Sequence, residues 1–300
     1  MGTILDEIAA KRRIAVEEKK MQRVLPDLDS SGGFRDAVSK RPGGKVRPLF
    51  RLRRTDASRE FLAGLNSVPE KENRRAAIIA ECKKASPSKG IMLSSYEPGL
   101  LAQAYASGGA TAVSVLTEPE YFLGNEEHLA EVRRAVALPV LRKDFIIDPW
   151  QVDESFVLGA DVILLIAALL DHEAISRMAG RARQLGMEVL LEVRDAEELA
   201  HIRDLAGLVD AIGVNARDLR DFTVDSGRLH ALSNDMPQGP VPVAESGLCK
   251  ADDACQLYRA GFQAFLIGEH FACSDDPEVA VRVFRTSLDQ EMVQYGHWGG

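Results

Sequence analysis

The alternation of short apolar runs with helical stretches limits this chain more than any other feature of its sequence. From residue 78 onward, each apolar run is followed by a segment with helical character. The runs lie at residues 78–82, 112–116, 139–141, 162–166, 188–192, 211–214, 241–244 and 264–267. Apolar runs of this kind between helices indicate buried parallel strands. The chain is therefore predicted to be an α/β protein whose residues 71–290 form a (β/α)8 TIM barrel.

A doubly wound parallel sheet is the competing arrangement of alternating strands and helices. Such a sheet usually carries a GxGxxG turn after its first strand. Here the turn after the first apolar run reads Ser-Pro-Ser-Lys-Gly at residues 86–90, which lacks that pattern. The sequence therefore favours the barrel.

The residues outside the barrel predict an N-terminal extension at 1–70 and a C-terminal tail at 291–300. Within the extension, residues 1–25 read as an amphipathic helix, residues 30–33 as a glycine-containing linker and residues 61–65 as a short helix.

Residues 40–54 form a basic arm, since they contain lysine and arginine but no acidic residue. The arm could bind an anion or a partner. A charge run is more often a solvated surface, and we favour that interpretation.

The composition argues against several classes of partner. A formal net charge of −8 makes nucleic acid a poor candidate. No apolar run approaches the roughly 18 residues of a membrane span, and the N-terminus lacks a signal-peptide core. The four cysteines have no CxxC spacing, so they read as reduced thiols and not as a disulfide frame or a metal site. We expect a cytoplasmic protein, or a plastid protein in a eukaryote.

Polar residues follow the apolar runs at nearly every predicted strand end. They include Glu81, Lys83, Glu118, Lys143, Glu192, Asn215, Arg217, Glu245, Ser246 and Glu269. The carboxyl ends of barrel strands meet at one face, which carries the active site in this fold. If these charged residues had only structural roles, their position together on this face, which we call the rim of the barrel, would be a coincidence.

Two features of this rim suggest a chemistry. Gly247 and Gly268 follow the seventh and eighth strands, where barrels commonly bind phosphate through main-chain amides. Glu81 and Lys83 are two residues apart and point to the same side of the first strand. They could form a structural ion pair, or they could be part of an acid–base site whose charges shift each other's pKa values.

Several of these segments resemble the indole-3-glycerol-phosphate synthase family of tryptophan biosynthesis. The matching stretches are IAECKKASPSKG at 79–90, SVLTE at 114–118, LRKDFI at 141–146, LEV at 191–193, IGVNARDL at 212–219, AESG at 244–247 and LIGE at 266–269. They keep the order of the family along residues 70–285. The resemblance implies ring closure, decarboxylation and dehydration of 1-(2-carboxyphenylamino)-1-deoxyribulose 5-phosphate to indole-3-glycerol phosphate.

The resemblance also implies roles for the catalytic residues. Lys143 would be the general acid that polarises the substrate carbonyl, and Lys83 would meet the carboxylate or phosphate and share acid work with Lys143. Glu81 and Glu192 would handle protons. The substrate's hydroxyls and carboxylate would be held by Asn215, Glu245 and Ser246.

The resemblance further implies a substrate-binding shell and a set of partners. The aromatic ring of the substrate would contact Phe122, Phe145, Leu165 and Leu219. Arg217 would order the neighbouring acidic side chains. The remaining binding residues would be Ser86, Gly247, Gly268 and Glu269. The substrate carries its own electron sink, so no metal or organic cofactor is implied. We expect a phosphorylated small-molecule substrate and a monomer or weak homo-oligomer, with other tryptophan-pathway enzymes as candidate partners. His270 departs from the family pattern beside the expected phosphate site.

Two other functions deserve comparison with this one. Phosphoribosylanthranilate isomerase is a related barrel that would need an acid–base pair of cysteine and aspartate at strand ends, and no cysteine is expected there. A non-catalytic barrel would have lost catalytic side chains, and none is missing here.

Overall fold

The computed structural model describes residues 3–50, 75–218, 220 and 222–295 of the chain. Eight parallel strands close into a barrel in the order β1-β10-β9-β8-β7-β6-β5-β4, and β2 and β3 form a separate two-stranded sheet. The strands are β1 Ala77–Cys82, β2 Ala85–Ser86, β3 Gly90–Ile91, β4 Ala112–Leu116, β5 Val140–Lys143, β6 Val162–Ile166, β7 Glu188–Val193, β8 Ala211–Asn215, β9 Val241–Glu245 and β10 Ala264–Ile267. The prediction of a (β/α)8 barrel is confirmed.

The helices of the described residues lie in the N-terminal extension and around the barrel. They are α1 Ile4–Gln22, α2 Ser31–Lys40, α3 Pro98–Gly108, α4 Glu126–Ala135, α5 Pro149–Leu158, α6 His172–Gln184, α7 Ala196–His201, α8 Gly227–Ser233, α9 Ala251–Arg259, α10 Glu269–Ala272 and α11 Pro277–Tyr295. Helix α11 extends to Tyr295, so only 296–300 of the predicted tail lie beyond it, and these lie outside the described residues.

Two apolar layers hold the barrel together. One lies between the strands and the outer helices, and it contains Ile78, Ala80 and Cys82 of β1. The other fills the barrel interior with the alternate residues of the same strand, Ala77 and Ile79. Strands with both faces buried are expected to be apolar throughout, which is why the runs are continuous in the sequence.

The predicted linker at residues 30–33 is wrong, because helix α2 begins at Ser31. The Ser30 hydroxyl accepts a hydrogen bond from the Gly33 amide at 3.1 Å, which caps the first turn. This cap offsets the poor helix propensity of the two glycines that follow.

The basic arm is not a solvated surface at Arg41, so that interpretation is wrong for this residue. Its guanidinium is buried and lies 2.9 Å from the Asp161 carboxylate, which also accepts from Arg133 at 2.6 Å. A buried carboxylate that is paired with two guanidiniums is stabilised against the cost of desolvation. Residues 51–54 of the arm and the predicted helix at 61–65 lie outside the described residues.

The arm packs against the interior of the barrel at residues 49 and 50. Leu49 and Phe50 are buried among interior residues, and their main-chain amides donate to one oxygen of Glu188 at 2.7 and 2.8 Å. Glu188 begins β7, so this contact lies at the amino ends of the strands. Helix α1 and the loops that follow the strands lie at the opposite end of the barrel, where the strands have their carboxyl ends.

Candidate active site

A cavity of about 380 Å³ opens at the carboxyl ends of the strands. Twelve of the predicted site residues line it, namely Glu81, Lys83, Phe122, Lys143, Phe145, Glu192, Asn215, Arg217, Ser246, Gly247, Gly268 and Glu269. The fold therefore gathers residues from seven of the eight predicted strand ends into one pocket, as the rule for barrels predicts.

The carboxylate and ammonium of the first strand form a close pair inside this cavity. Lys83 Nζ lies 2.8 Å from Glu81 Oε1. Burial opposes the charged form of Glu81, but the nearby ammonium groups of Lys83 and Lys143 outweigh it and lower the pKa of this carboxyl. Glu81 is therefore favoured as a carboxylate.

A second ammonium lies between two further carboxyl groups. Lys143 Nζ is 3.3 Å from Glu192 Oε2 and 3.6 Å from Glu245 Oε2. Burial works against its charge, yet the carboxylate fields of Glu192 and Glu81 raise the pKa of Lys143 above its ordinary value. The site thus keeps a charged ammonium in a partly buried position.

Glu245 is buried and does not line the cavity, so the prediction that it holds the substrate is wrong. Among the described residues, neither of its carboxyl oxygens has a hydrogen-bond partner. Burial and the charge of Glu192 raise the pKa of Glu245 to about 8, although Lys143 acts in the opposite direction. At neutral pH this group holds a proton, so it differs from the carboxylate of Glu81.

An apolar wall lies on the side of the cavity that faces helix α1. The rings of Phe122 and Phe145 are tilted at 41° with centroids 6.3 Å apart. Leu164 and Ile166 complete this wall. Such a surface suits an aromatic group.

The prediction that Leu165 walls the ring is wrong. Side chains alternate along a strand, and Leu165 belongs to the layer between the strands and the outer helices. Its neighbours Leu164 and Ile166 point into the barrel instead. The predicted contribution of Leu219 falls outside the described residues.

The far end of the cavity is formed by the loops after β9 and β10. Ser246 and Gly247 both have positive φ, at 66° and 72°. This conformation is rare for serine and often marks a functional loop. A Cβ at Gly268 would lie 2.4 Å from Glu81 Oε1, so only glycine lets the main chain pass that close to the carboxylate.

The loop after β1 closes over this end of the cavity. Lys89 forms an ion pair with Glu269, and Ser88 Oγ accepts a hydrogen bond from Arg217 at 3.3 Å. Ser88 and Lys89 line the cavity, whereas the predicted Ser86 is buried in the β2–β3 hairpin and does not. The prediction for Ser86 is therefore wrong, because the hairpin turns the following residues toward the cavity.

Asn215 and Arg217 shape the loop after β8. The Asn215 side-chain oxygen accepts from the Arg217 amide at 2.9 Å. The Arg217 guanidinium also donates to the Phe222 carbonyl at 3.1 Å. Its described hydrogen bonds thus go to neighbouring loops and not to the acids that it was expected to order.

Sequence reasoning missed several lining residues. The interior position of Leu164 and Ile166 could have been found by extending the alternation that starts at Val162. Ser88 and Lys89 lie within a quoted motif, but no local signal gives the direction of a loop side chain. His270, which the sequence places beside the expected phosphate site, also lines the cavity.

No helix within residues 3–50, 75–218 and 222–295 has the length and apolar character needed to cross a membrane. In that same part of the chain, no group of three or more histidine, cysteine or acidic side chains is arranged to hold a metal ion. Cys82 faces the outer helices, so it is not placed as a strand-end acid.

Comparisons with known proteins match this chain along most of its length. The family model described as indole-3-glycerol phosphate synthase matches residues 5–284. Proteins named indole-3-glycerol phosphate synthase from Sulfurimonas denitrificans and Acetivibrio thermocellus are 38% and 40% identical to the chain. The alignments cover 93% and 94% of this chain and 97% and 99% of those proteins.

Solved structures of other barrels share the fold at low identity. The 3-hexulose-6-phosphate synthase of Salmonella typhimurium matches with a TM-score of 0.58 at 15% identity, over 72% of this chain and 99% of that one. The orotidine 5'-phosphate decarboxylase of Pyrococcus horikoshii gives a TM-score of 0.53 at 10% identity, over 71% and 99%. These likenesses concern the fold alone.

Proposed function

We infer the roles of the site residues from one premise: this chain belongs to the indole-3-glycerol phosphate synthase family. Its activity is that of a carboxy-lyase in tryptophan biosynthesis. The substrate 1-(2-carboxyphenylamino)-1-deoxyribulose 5-phosphate closes its ring, loses carbon dioxide and water, and becomes indole-3-glycerol phosphate.

The general acid of ring closure is Lys143. The observation that carries this proposal is a partly buried ammonium 3.3 and 3.6 Å from two carboxyl groups, in the cavity that the apolar wall also lines. Negative charge develops on the carbonyl oxygen as the ring carbon attacks, and a fixed cation stabilises it. The neighbouring acids keep this lysine protonated until the carbonyl oxygen takes its proton.

Proton movement in the dehydration involves the remaining charged residues. Glu192 is hydrogen-bonded to Lys143, so it can take up a proton and return one to the lysine. Glu81 and Lys83 form the second acid–base pair, with Lys83 as a donor toward the leaving hydroxyl. Glu245 is the protonated partner that limits the negative charge around Lys143.

The two ends of the cavity suit the two ends of the substrate. The Phe122 and Phe145 wall accepts the carboxyphenyl ring, and burial of the carboxylate against an apolar surface favours loss of carbon dioxide. The phosphate is held at the loops of Gly247 and Gly268, with Lys89 as a nearby cation. Asn215 and Ser246 hold the hydroxyls between them.

The expected setting of the enzyme follows the same premise. We propose a cytoplasmic monomer or weak homo-oligomer whose partners, beyond its substrate, are other enzymes of the tryptophan pathway. We also propose that residues 71–290 are the catalytic domain and that residues 1–70 assist substrate binding.

The assignment of Lys143 is tested by replacing it with alanine and following product fluorescence. Removal of a general acid should lower kcat by about 10² to 10⁴ fold. The matched control is Lys40→Ala, because Lys40 is an exposed lysine whose ion pair with Asp36 lies on α2. The assignment fails if Lys143→Ala keeps more than about a tenth of the wild-type kcat, above what that range allows.

A further inference from the structure

Helix α1 of the N-terminal extension packs beside the apolar wall of the active site. Leu5 and Ile8 are buried in the same cluster as Phe145, Leu164 and Ile166. The helix therefore contacts the part of the cavity that the proposed function gives to the aromatic ring. Arg12 of this helix extends into a cluster of buried charges formed by Asp144, Arg142 and Glu154.

Arg12 forms an ion pair with Asp144 that is shielded from solvent. Its Nη2 lies 2.5 Å from Asp144 Oδ2, and the side chains are 5% and 0% exposed. The same Asp144 oxygen accepts from Thr117 Oγ1 at 2.6 Å and from Arg142 at 3.1 Å. The other oxygen, Oδ1, accepts from the Phe145 amide at 2.8 Å.

The charge balance at Asp144 depends on Arg12. Arg142 serves two buried carboxylates, since it also donates to Glu154 at 2.9 Å. Glu154 has two further cations, Arg23 Nη1 at 3.5 Å and Lys19 Nζ at 4.0 Å, whereas the described ion pairs of Asp144 are those with Arg12 and Arg142. A buried carboxylate that shares its one remaining guanidinium is costly. Arg12 supplies the second positive charge at Asp144. Without Arg12, Asp144 would have to share the guanidinium of Arg142 with Glu154.

We propose that Arg12 is a positioning residue for the aromatic-ring subsite: it fixes the Asp144 carboxylate, which in turn fixes the Phe145 main chain. This role rests on the proposed function, because the Phe145 wall is the surface given to the ring. Asp144 stands between the catalytic Lys143 and Phe145 in sequence. The Lys143 ammonium, however, is held on the far side by Glu192 and Glu245.

This arrangement separates ring binding from proton transfer. Loss of Arg12 should let Phe145 move while the contacts of the Lys143 ammonium remain. A loss of binding shared by the ground state and the transition state raises KM with little change in kcat. We expect a rise in KM of about tenfold, which corresponds to about 1.4 kcal/mol of lost binding free energy.

The test uses the full-length Arg12→Met variant, which keeps an unbranched, apolar stem but removes the charge and hydrogen bonds of the guanidinium. Binding of the aromatic product and binding of inorganic phosphate are measured by titration calorimetry, and steady-state kinetics are measured alongside. We expect product affinity and 1/KM to fall about tenfold. Phosphate affinity should be unchanged.

Two further variants distinguish positioning from a general loosening of the helix. Lys20→Met removes another ion pair between α1 and the barrel, at 2.7 Å to Asp148, and should leave both affinities unchanged. The double variant of Arg12→Met with Asp144→Asn should weaken product binding no more than the stronger single variant, because both act through one contact.

Three results would overturn the proposal. They are an equal loss of product and phosphate affinity in Arg12→Met, an equal loss in the Lys20→Met control, or a fall in kcat at unchanged KM. Failure of the wild-type protein to form the product would instead contradict the proposed function, and that result is seen before any variant is compared.

Discussion

The substitution Glu245→Gln tests whether a buried carboxyl beside Lys143 holds its proton at neutral pH. The amide has nearly the same shape as the protonated carboxyl but cannot ionise. Glu245 is 1% exposed, and burial together with the charge of Glu192 raises its pKa from 4.5 to about 8. Below pH 4.5, where the carboxyl is protonated in both the folded and the unfolded state, the pH dependence of stability should be the same in the variant and the wild type. Above pH 4.5 the unfolded wild type releases this proton, so the two stabilities should diverge.

The direction of the effect follows from proton linkage. Between pH 4.5 and about 8, the folded wild type keeps the Glu245 proton and the unfolded chain does not. Stability falls with rising pH wherever the folded state binds more protons. The contribution of this group is fully present below pH 4.5 and is lost by the time the pH passes the folded value of about 8.

The size of the effect comes from the same shift. A rise from 4.5 to about 8, at 1.36 kcal/mol per pKa unit, gives a loss of up to about 5 kcal/mol in the wild type. Glu245→Gln lacks this loss. Its free energy of unfolding relative to the wild type should thus rise by several kcal/mol from pH 5 to pH 8.

The measurement is urea-induced unfolding of both proteins at a series of pH values. The control is Glu18→Gln, because Glu18 is an exposed glutamate on α1 and should show no such divergence. If the curves of wild type and Glu245→Gln stay parallel from pH 5 to pH 8, then Glu245 is ionised in the folded protein and our account of the charge around Lys143 is wrong.

Two further substitutions examine the glycine near Glu81 and the buried cluster at the amino end of the barrel. Gly268→Ala places a Cβ 2.4 Å from Glu81 Oε1, so it should lower kcat as well as raise KM in steady-state assays, and an unchanged kcat would contradict this contact. Arg133→Met removes one of two guanidiniums from Asp161 and should lower the free energy of unfolding by about 3 to 5 kcal/mol, the usual cost of breaking a buried ion pair. A loss below about 1 kcal/mol, typical of exposed pairs, would show that Arg41 alone suffices.

Part of the fold and the site could be predicted because it depends on local pattern. The eight apolar runs indicated the strands, and polar residues such as Glu81, Lys143 and Glu192 followed them. The barrel brings the carboxyl ends of all its strands to one face, so order along the chain was enough to gather these residues. No knowledge of packing was needed for this step.

Other features depend on contacts between distant parts of the chain. Arg41 reads as an exposed basic residue, but its partner Asp161 lies 120 positions away. Arg12 and Asp144 are separated by 132 positions. A charge is buried only where tertiary structure supplies its partner, so the surrounding sequence could not indicate either pair.

The sequence by itself determined that residues 162–166 form a buried strand, and the tertiary structure decided which of its residues line the cavity. Both faces of a barrel strand are covered, one by the interior and one by the helices, so both are apolar. The sequence therefore carries no contrast between Leu164 and Leu165. The register with the neighbouring strands sets that phase, and in this barrel Leu164 faces the site and Leu165 faces the helices.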